Sequence, residues 1–590
     1  MATVSSRRFN APWWKVLWCA VAIVLLASAC SGDDDDDGGE DAVEESTDTT
    51  VKGSDFEPGE GGESYVPTGE LVADSGFRPE VNGFAFPNYG NEEGPQNLTP
   101  ANVEALFGSQ VCVSGTGVDC LLTPAGQKWM ETQNEIMDGG HCMGFSVAAL
   151  RMFAGTLDPQ QFGGSVAHEL PLENTDLQST IAQSFVYQMI PAINDARTLG
   201  TPTEILNALV EYLNAGEEHY TLGFFKADGS GGHAVTPLAV EDKGDGQYAI
   251  LVYDNNYPDI VRALEVDTNT DSFRYNGSSN PDIEESVYEG DASTPPMDLT
   301  PTLIGEQLQP CPFCAGEEID DSGEGTLGSV LPAEEQYAEV ALVGDNANHP
   351  HLVITDLEDE SKQAGIIDGE LVNDIEGVEI VMQYTDDPSY GAPEPKFRLP
   401  LDKDVTITID GSNLTETASG VVVNYTSPGK VVEIDDITIA PGQQDLMLVD
   451  TASYTIVYES NNEEGFAPNF FAGVDDGDSS YTLGATVVGI GPGSLLGMAI
   501  LEEEGQVLFD LSDAVAVDGE EMTSILAISK LDESGEHAWI NEGVVIDTAG
   551  VPEDVYLNYK EQELTPGSPI TIEIGREGGP FRTVEAAYTE

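Results

Sequence analysis

One cysteine, one histidine and one aspartate occur in an order that suits thiol-based acyl chemistry. Cys142 follows Gly139-Gly140 at the expected start of a helix, His233 opens an apolar strand, and Asp254 closes the next strand. A thiol reacts as its thiolate, and a helix N-terminus or a neighbouring imidazolium lowers its pKa. The pattern predicts Cys142 as nucleophile, His233 as the base that activates it, and Asp254 as the acceptor that orients the imidazole through Nδ1.

Each of these residues also has a simpler structural interpretation. A single buried cysteine is usually a small core residue. A single histidine on a strand is commonly structural, and Asp254 with Asn255 is also typical of an Asx turn that ends a strand. The order of the three residues, together with the cysteine count, favours catalysis.

The cysteine count leaves one thiol over. Of seven cysteines, two lie in or at the end of the N-terminal apolar segment. Cys112 with Cys120 and Cys311 with Cys314 are close enough in sequence to form local disulfides, which suit an oxidising compartment. Cys142 is the remaining one. We therefore predict two structural disulfides and one functional thiol.

The Cys-Pro-Phe-Cys sequence that ends at Cys314 has two other interpretations. A thioredoxin-like redox site would need a βαβ context, which the flanking sequence lacks. A zinc site would need two further ligands; His349 and His351 are available, but their spacing is not diagnostic. A tight disulfide between Cys311 and Cys314 is the prediction, with no metal and no cofactor.

The region around Cys142 resembles papain-like cysteine peptidases. The resemblance rests on Gly-x-Cys-x-Gly-Phe-Ser entering a helix, on Gly-His-Ala-Val beginning at Gly232, and on Asp254. It covers roughly residues 83–302 and is closer to compact bacterial forms, such as leader peptidases of bacteriocin exporters, than to papain. It implies an α+β fold, with Cys142 on a helical lobe and His233 and Asp254 on an antiparallel β lobe.

The resemblance also implies an oxyanion-binding glutamine, and here the sequence departs from the family. The family usually carries this glutamine about six residues before the cysteine, and Ile136 occupies that position. Gln133 and Asn134 lie slightly further back. We predict Gln133, in preference to Asn134, as the oxyanion donor.

The N-terminal segment predicts export. Arg7, Arg8 and Lys15 precede the apolar run 16–29, which is short for a membrane span. Small residues lead to Cys30, which resembles the lipidated cysteine of a bacterial lipoprotein. An ordinary cleaved signal and an uncleaved anchor are the alternatives. All three place the chain outside the cytoplasm, and the first anchors it by lipid to the outer face of the cell membrane.

The charge of the chain excludes some classes of partner. The 590 residues include 106 Asp and Glu but only 21 Lys and Arg, for a net charge of −85. Nucleic acid and anionic lipid headgroups would be repelled. Acidic turns such as Asp475-Asp476-Gly477-Asp478 suggest calcium, although solvated turns are the preferred interpretation. The expected partners are a peptide or protein substrate and, through the lipid anchor, the membrane.

The chain is too long for one core. Residues near the N-terminus are rich in Asp, Glu, Gly, Ser and Thr, which cannot bury apolar surface. Beyond about residue 329, short strands and turn residues dominate and predict all-β sandwich domains. The predicted organisation is a signal peptide (1–30), a disordered acidic stalk (31–82), the hydrolase domain (83–315), a linker (316–328), a β-sandwich domain (329–462) and a second β-rich domain (463–590).

The sequence thus predicts a cell-surface cysteine hydrolase that cleaves peptide or amide bonds. One alternative is a catalytically inactive binding or adhesion lipoprotein, which the missing glutamine favours. Another is a transglutaminase-like acyltransferase, which would use an amine in place of water as the acceptor.

Overall fold

The structure is a computed structural model. It describes residues 63–589 except 92–93, 228, 230, 278–286, 317–329, 334, 386–392, 452–453, 462–467, 478, 502–504, 518–520, 547–551, 560–563 and 577–578. The predicted signal peptide, the lipidated Cys30, most of the acidic stalk and nearly all of the 316–328 linker lie outside the described residues. Within the described part, no helix has the length and apolar character needed to cross a membrane.

In the described part of the chain, the α-helices are short and lie before residue 216. Their starts carry the expected caps: Thr99 and Thr201 form capping boxes, the Thr123 side chain accepts from Gly126 N, and a proline follows each of these three threonines. Gly155 and Gly216 end two helices in the left-handed conformation. The helices are α1 (Pro79–Asn82), α2 (Pro100–Phe107), α3 (Pro124–Ile136), α4 (Cys142–Ala154), α5 (Thr175–Phe185), α6 (Pro191–Asp195) and α7 (Pro202–Ala215).

Strands on both sides of these helices form one antiparallel nine-stranded sheet. Its order is β10-β9-β8-β7-β6-β5-β11-β4, and β1 pairs with β6 off this path. The strands are β1 (Glu70–Asp74), β4 (Thr198–Gly200), β5 (Tyr220–Phe225), β6 (Gly232–Gly244), β7 (Gln247–Tyr253), β8 (Val261–Asp267), β9 (Ser272–Asn276), β10 (Val287–Asp291) and β11 (Met297–Pro301). A small hairpin, β2 (Cys112–Ser114) with β3 (Leu121–Leu122), lies apart.

A 20-stranded antiparallel sheet occupies the rest of the chain. Its hairpins alternate between two sets, and buried side chains of both sets form one hydrophobic core from Ala338 to Ala586. The strands are β12 (Tyr337–Val343), β13 (His351–Asp356), β14 (Gln363–Ile367), β15 (Glu370–Asn373), β16 (Glu379–Val381), β17 (Lys396–Pro400), β18 (Val405–Asp410), β19 (Ala418–Ser427), β20 (Lys430–Ile439), β21 (Gln444–Asp450), β22 (Thr455–Glu459), β23 (Asn469–Asp475), β24 (Ser480–Val488), β25 (Leu495–Leu501), β26 (Gln506–Asp510), β27 (Thr523–Asp532), β28 (Gly535–Val545), β29 (Asp554–Asn558), β30 (Ile570–Gly575) and β31 (Arg582–Thr589).

The predicted fold class, an α+β papain-like domain followed by β-sandwiches, is wrong. Strands hold 43% of the residues and helices 20%, and the short helices do not form a clear helical lobe. The reason is that β1 precedes the helices and pairs with β6, so the sheet draws strands from both sides of the helical region. Helix α4 then packs directly on β5 and β6 of this sheet.

Two predicted boundaries also differ from the structure. The stalk was expected to reach residue 82, but β1 pairs with the sheet and Phe77 is fully buried. The predicted division between 462 and 463 falls within a continuous sheet, because β20 pairs with β23 and β22 pairs with β25. Residues on both sides of that position therefore share one core.

Helix α3 joins the two sheets. Lys128 Nζ lies 3.1 Å from Glu433 Oε1, and Asn424 Nδ2 donates to Thr132 Oγ1 at 3.0 Å. A buried ammonium requires such partners to offset its loss of hydration. These contacts hold the 20-stranded sheet against the region that carries Cys142.

Candidate active site

Cys142 is the first residue of α4 and is fully buried. The preceding Gly140 has φ +112, and a Cβ there would lie 2.4 Å from the carbonyl oxygen of Thr385. Only glycine is compatible with both the conformation and the contact. The chain therefore enters the helix sharply, which places the Cys142 thiol at the positive end of the helix dipole.

His233 and Asp254 form a buried pair. His233 Nε2 lies 2.9 Å from Asp254 Oδ1, and neither side chain is exposed to solvent. The pairing of Thr236 with Tyr253 in β6 and β7 sets this geometry, since the residue after Tyr253 lies diagonally across from His233 on one face of the sheet. The sequence predicts that Nδ1 faces the carboxylate; in the structure Nε2 faces it, because of how the ring packs against Phe224 and Tyr288.

Asp254 is held as a carboxylate. Burial raises its pKa, but the charge of His233 and the hydrogen bonds from His233 and Tyr275 lower it more, so the pKa of Asp254 lies below its usual value. Tyr275 donates its hydroxyl to Oδ2, and the Asn256 backbone N–H donates to Oδ1 at 2.9 Å. The site thus favours an ionised aspartate beside the imidazole.

The Cys142 sulfur lies beside the backbone next to His233. The N–H of Ala234 donates to Cys142 Sγ at 3.4 Å. Asn255 Nδ2 donates to the carbonyl oxygens of Cys142 and Ala234, both at 3.0 Å. This carboxamide fastens the start of α4 to β6, so the thiol, the imidazole and the carboxylate belong to one buried cluster.

A segment from the C-terminal sheet covers this cluster. The closing segment, Gln383-Tyr384-Thr385, follows β16 and makes a parallel bridge with Gly232, the residue before His233. The N–H of Thr385 donates to the carbonyl oxygen of Gly232 at 3.2 Å. A Cβ at Gly139 would lie 3.0 Å from Thr385 Cβ. The closing segment therefore contacts the chain that leads into Cys142 and the chain that leads into His233.

Tyr384 anchors the closing segment. Its backbone N–H donates to Gln188 Oε1 at 2.6 Å, and Gln188 Nε2 donates to its carbonyl at 3.2 Å. Its ring stacks on Phe225 with centroids 4.5 Å apart, and its hydroxyl donates to Asp298. Burial raises the pKa of Tyr384 well above its usual value, followed by the Asp298 charge and, more weakly, by Cys142. Tyr384 and Cys142 belong to the same hydrophobic cluster, so the anchored segment is part of the core around the thiol.

The predicted oxyanion donor, Gln133, is buried on α3. Its Oε1 accepts from Lys396 Nζ at 3.0 Å, and its Nε2 makes no hydrogen bond within the described part of the chain. An unpaired buried donor costs about 1–3 kcal/mol. The alternative, Asn134, has both carboxamide atoms bonded to the backbone of Leu98, so Gln133 is the one of the two with a donor to offer.

Beside the thiol, His141 is a structural residue. It occupies the N-cap position of α4 without a capping side-chain hydrogen bond, is fully buried, and has Nδ1 2.7 Å from the Tyr89 carbonyl oxygen and Nε2 2.9 Å from Asn97 Oδ1. Burial lowers the pKa of His141 to about 4, despite the hydrogen bond to Tyr89. The folded protein therefore favours the neutral imidazole.

Acid should weaken the fold through His141. An unfolded histidine takes up a proton near pH 6.5, whereas the folded one resists until about pH 4, so stability is lost as pH falls from 6.5 to 4. The expected loss is about 3 kcal/mol. Urea unfolding of the wild type and of His141→Gln at several pH values measures it. The same acid sensitivity in the variant would contradict the assignment to His141.

Both predicted disulfides form, Cys112–Cys120 and Cys311–Cys314, and Cys142 takes part in neither. The alternative zinc site at Cys311 and Cys314 is therefore not formed. The acidic turn considered for calcium begins with a local hydrogen bond: the Asp475 carboxylate accepts from the Gly477 N–H at 3.2 Å. Asp478, the last residue of that turn, lies outside the described residues.

Several site residues were missed from the sequence. The sequence indicates Asn255 only as the neighbour of Asp254. Its hydrogen bonds to the carbonyl oxygens of Cys142 and Ala234 depend on the approach of α4 to β6. Tyr275 and Gln188 carry no local signal, since each acts through distant contacts. Tyr384 lies in a region predicted to be a separate domain, so only the packing of the two sheets reveals that it shares a hydrophobic cluster with Cys142.

A scan against protein-family models, a search of curated proteins and a search of solved structures each found no match. The resemblance to papain-like peptidases therefore stays a prediction made from the residues around Cys142, His233 and Asp254.

Proposed function

We propose that this protein is a cysteine hydrolase of peptide or amide bonds whose site is closed by its own C-terminal region. The observation that carries the proposal is the buried His233–Asp254 pair, with the Cys142 sulfur bonded to the N–H of the residue next to His233. A buried carboxylate beside an imidazole favours the imidazolium, which in turn stabilises a thiolate.

The proposed reaction proceeds through a thioester. Cys142 Sγ attacks the carbonyl carbon while His233 holds the thiol proton, and the oxygen becomes an oxyanion. When the tetrahedral intermediate collapses, the C–N bond breaks and His233 gives the proton to the leaving amine. Water, deprotonated by His233, then attacks the thioester and releases the acid and the thiol. Asp254 orients His233 throughout.

Two donors are available for the oxyanion. The first N–H groups of a helix have no intrahelical acceptor, and Cys142 is the first residue of α4. Gln133 Nε2, a buried donor that makes no hydrogen bond to any described residue, is the proposed second donor. Binding a substrate oxygen would satisfy this donor.

Complete burial of Cys142 supports one alternative, a protein that keeps this arrangement without catalysis. In that case Tyr384 would be a permanent part of the core. The two functions differ in the state of the thiol: a catalytic cysteine has a lowered pKa, whereas a core cysteine has an ordinary or raised one.

The pH dependence of thiol alkylation distinguishes them. We expect the iodoacetamide labelling of Cys142 in the full chain to have a midpoint well below about 8.5. His233→Ala should move the midpoint to about 8.5 or above, because the imidazolium is lost. His168→Ala is the matched control, since His168 pairs with Asp259 at the surface. A midpoint near the free-thiol value that ignores His233 would exclude an activated thiol.

We also propose that the protein works outside the cytoplasm, anchored by lipid at Cys30. The two disulfides support an oxidising compartment. Mass spectrometry of the N-terminal peptide tests the anchor: a diacylated Cys30 is expected, and an unmodified chain that retains residues 1–29 would contradict it. A peptide or protein is the proposed substrate.

A further inference from the structure

His349, His351 and Glu394 form a compact group of side chains in the C-terminal region, separate from the thiol cluster. Glu394 Oε2 lies 2.8 Å from His351 Nδ1 and 3.4 Å from His349 Nε2. One ligand atom from each residue lies within 4.8 Å of the other two. From this geometry we propose that these three residues bind a divalent transition-metal ion, with zinc as the best fit.

The burial of Glu394 supports the proposal. The residue is 2% exposed, and its other oxygen, Oε1, accepts from the N–H of Leu352 at 2.7 Å. A buried carboxylate requires a compensating charge. One protonated imidazole would balance the charge of this carboxylate, whereas a bound cation balances it while both imidazoles stay neutral.

The ligand set suits zinc, and one of the two measured spacings matches it. Two imidazole nitrogens and one carboxylate oxygen are a set that binds zinc at about 2.0–2.2 Å, which places tetrahedral ligands roughly 3.4 Å apart. The separation of His349 Nε2 from Glu394 Oε2 equals that value, whereas His351 Nδ1 lies 2.8 Å from Glu394 Oε2, a hydrogen-bond distance that would lengthen when an ion binds. Both histidines are partly exposed, with 12% and 23% of their side chains accessible. An ion can therefore enter from solvent and keep one position for water.

The backbone around the group is fixed, which favours a formed site. His351 begins β13 and pairs with Asp410 of β18, and Asn413 Nδ2 donates to the carbonyl oxygen of His349 at 2.9 Å. The carbonyl oxygen of Glu394 accepts from Gln383 Nε2 at 2.9 Å. Gln383 belongs to the closing segment, so the proposed ion would stabilise the residues that hold that segment.

Titration of the full chain with zinc in excess Ca²⁺, with binding measured by calorimetry, tests the proposal. Calcium occupies acidic oxygen sites, which this chain has in excess, and leaves nitrogen-containing sites to zinc. We expect one zinc per chain, and at least about 100-fold weaker binding in His351→Ala, as losing even an outer partner of a ligand costs 10–100-fold. His168→Ala, which removes an exposed histidine–carboxylate pair, should leave the affinity unchanged.

A second variant and a second metal keep the test decisive if Glu394 or His351 proves necessary for folding. His349→Gln removes a partly exposed ligand, and folding is checked by circular dichroism. Co²⁺ should give the intense absorption of a tetrahedral site in the wild type and lose it in this variant. No zinc binding in excess Ca²⁺, or equal binding in the wild type and both folded variants, would overturn the proposal and make the group a buried ion pair.

Discussion

Replacing Tyr384 with alanine should expose the Cys142 thiol. The ring is buried, stacks on Phe225 and donates to Asp298, so its removal costs about 3–5 kcal/mol of local packing. Each 1.4 kcal/mol is a factor of 10 in an opening equilibrium, so labelling of Cys142 by iodoacetamide should become about 100- to 1,000-fold faster at fixed pH. If the proposed function is correct, hydrolysis of peptide substrates should rise in parallel.

The control for Tyr384→Ala is Tyr458→Ala. Tyr458 is also fully buried and donates to a carboxylate, Asp445, at 2.5 Å, but it belongs to the core of the C-terminal sheet. The free energy of global unfolding should fall by a similar amount in both variants. Labelling of Cys142 should accelerate only in Tyr384→Ala. Equal labelling rates in the two variants would show that Tyr384 does not limit access to the thiol.

Asp254→Asn should destabilise the fold and lower any hydrolytic rate. Removing one partner of a buried pair leaves His233 without its counter-charge, which costs about 3–5 kcal/mol. The same change removes the acceptor that orients His233, so any hydrolytic rate should fall by about 10⁴-fold. Urea unfolding and substrate kinetics measure the two effects. Asp259→Asn, at an exposed histidine–aspartate pair, is the matched control.

The stability loss in Asp254→Asn should depend on pH in a defined direction. The pKa of Asp254 is lowered in the folded protein from a usual value of 3.8. The ionised carboxylate therefore stabilises the fold above pH 3.8, and this contribution is lost as pH falls through the lowered value. The difference between wild type and variant should shrink as the pH falls below 3.8. A difference that grows in acid would contradict an ionised Asp254.

The sequence was informative wherever a local rule decides the structure. Gly139-Gly140 marked the start of α4, and apolar runs marked β6 and β7. The pairing of His233 with Asp254 followed from two adjacent strands and a short turn. Local spacing in an antiparallel hairpin fixes which residues face each other, so it can be inferred from one chain.

The sequence was uninformative wherever distant segments meet. The fold class failed because β1, more than 160 residues before its partner in β6, has no local signal for that pairing. The position of the closing segment could not be predicted for the same reason, because Tyr384 forms a hydrogen bond with Gln188, 196 residues earlier. The side of the imidazole that faces Asp254 was also mispredicted, because it depends on how the ring packs against Tyr288 and Phe224.

The closing segment and the thiol that it covers belong to one polypeptide. A tethered group acts at a high effective concentration that does not change when the protein is diluted. Dilution therefore cannot relieve the block, and a free peptide with the sequence of residues 381–385 would compete poorly with the attached copy. Opening would follow first-order kinetics, with a rate independent of the protein concentration.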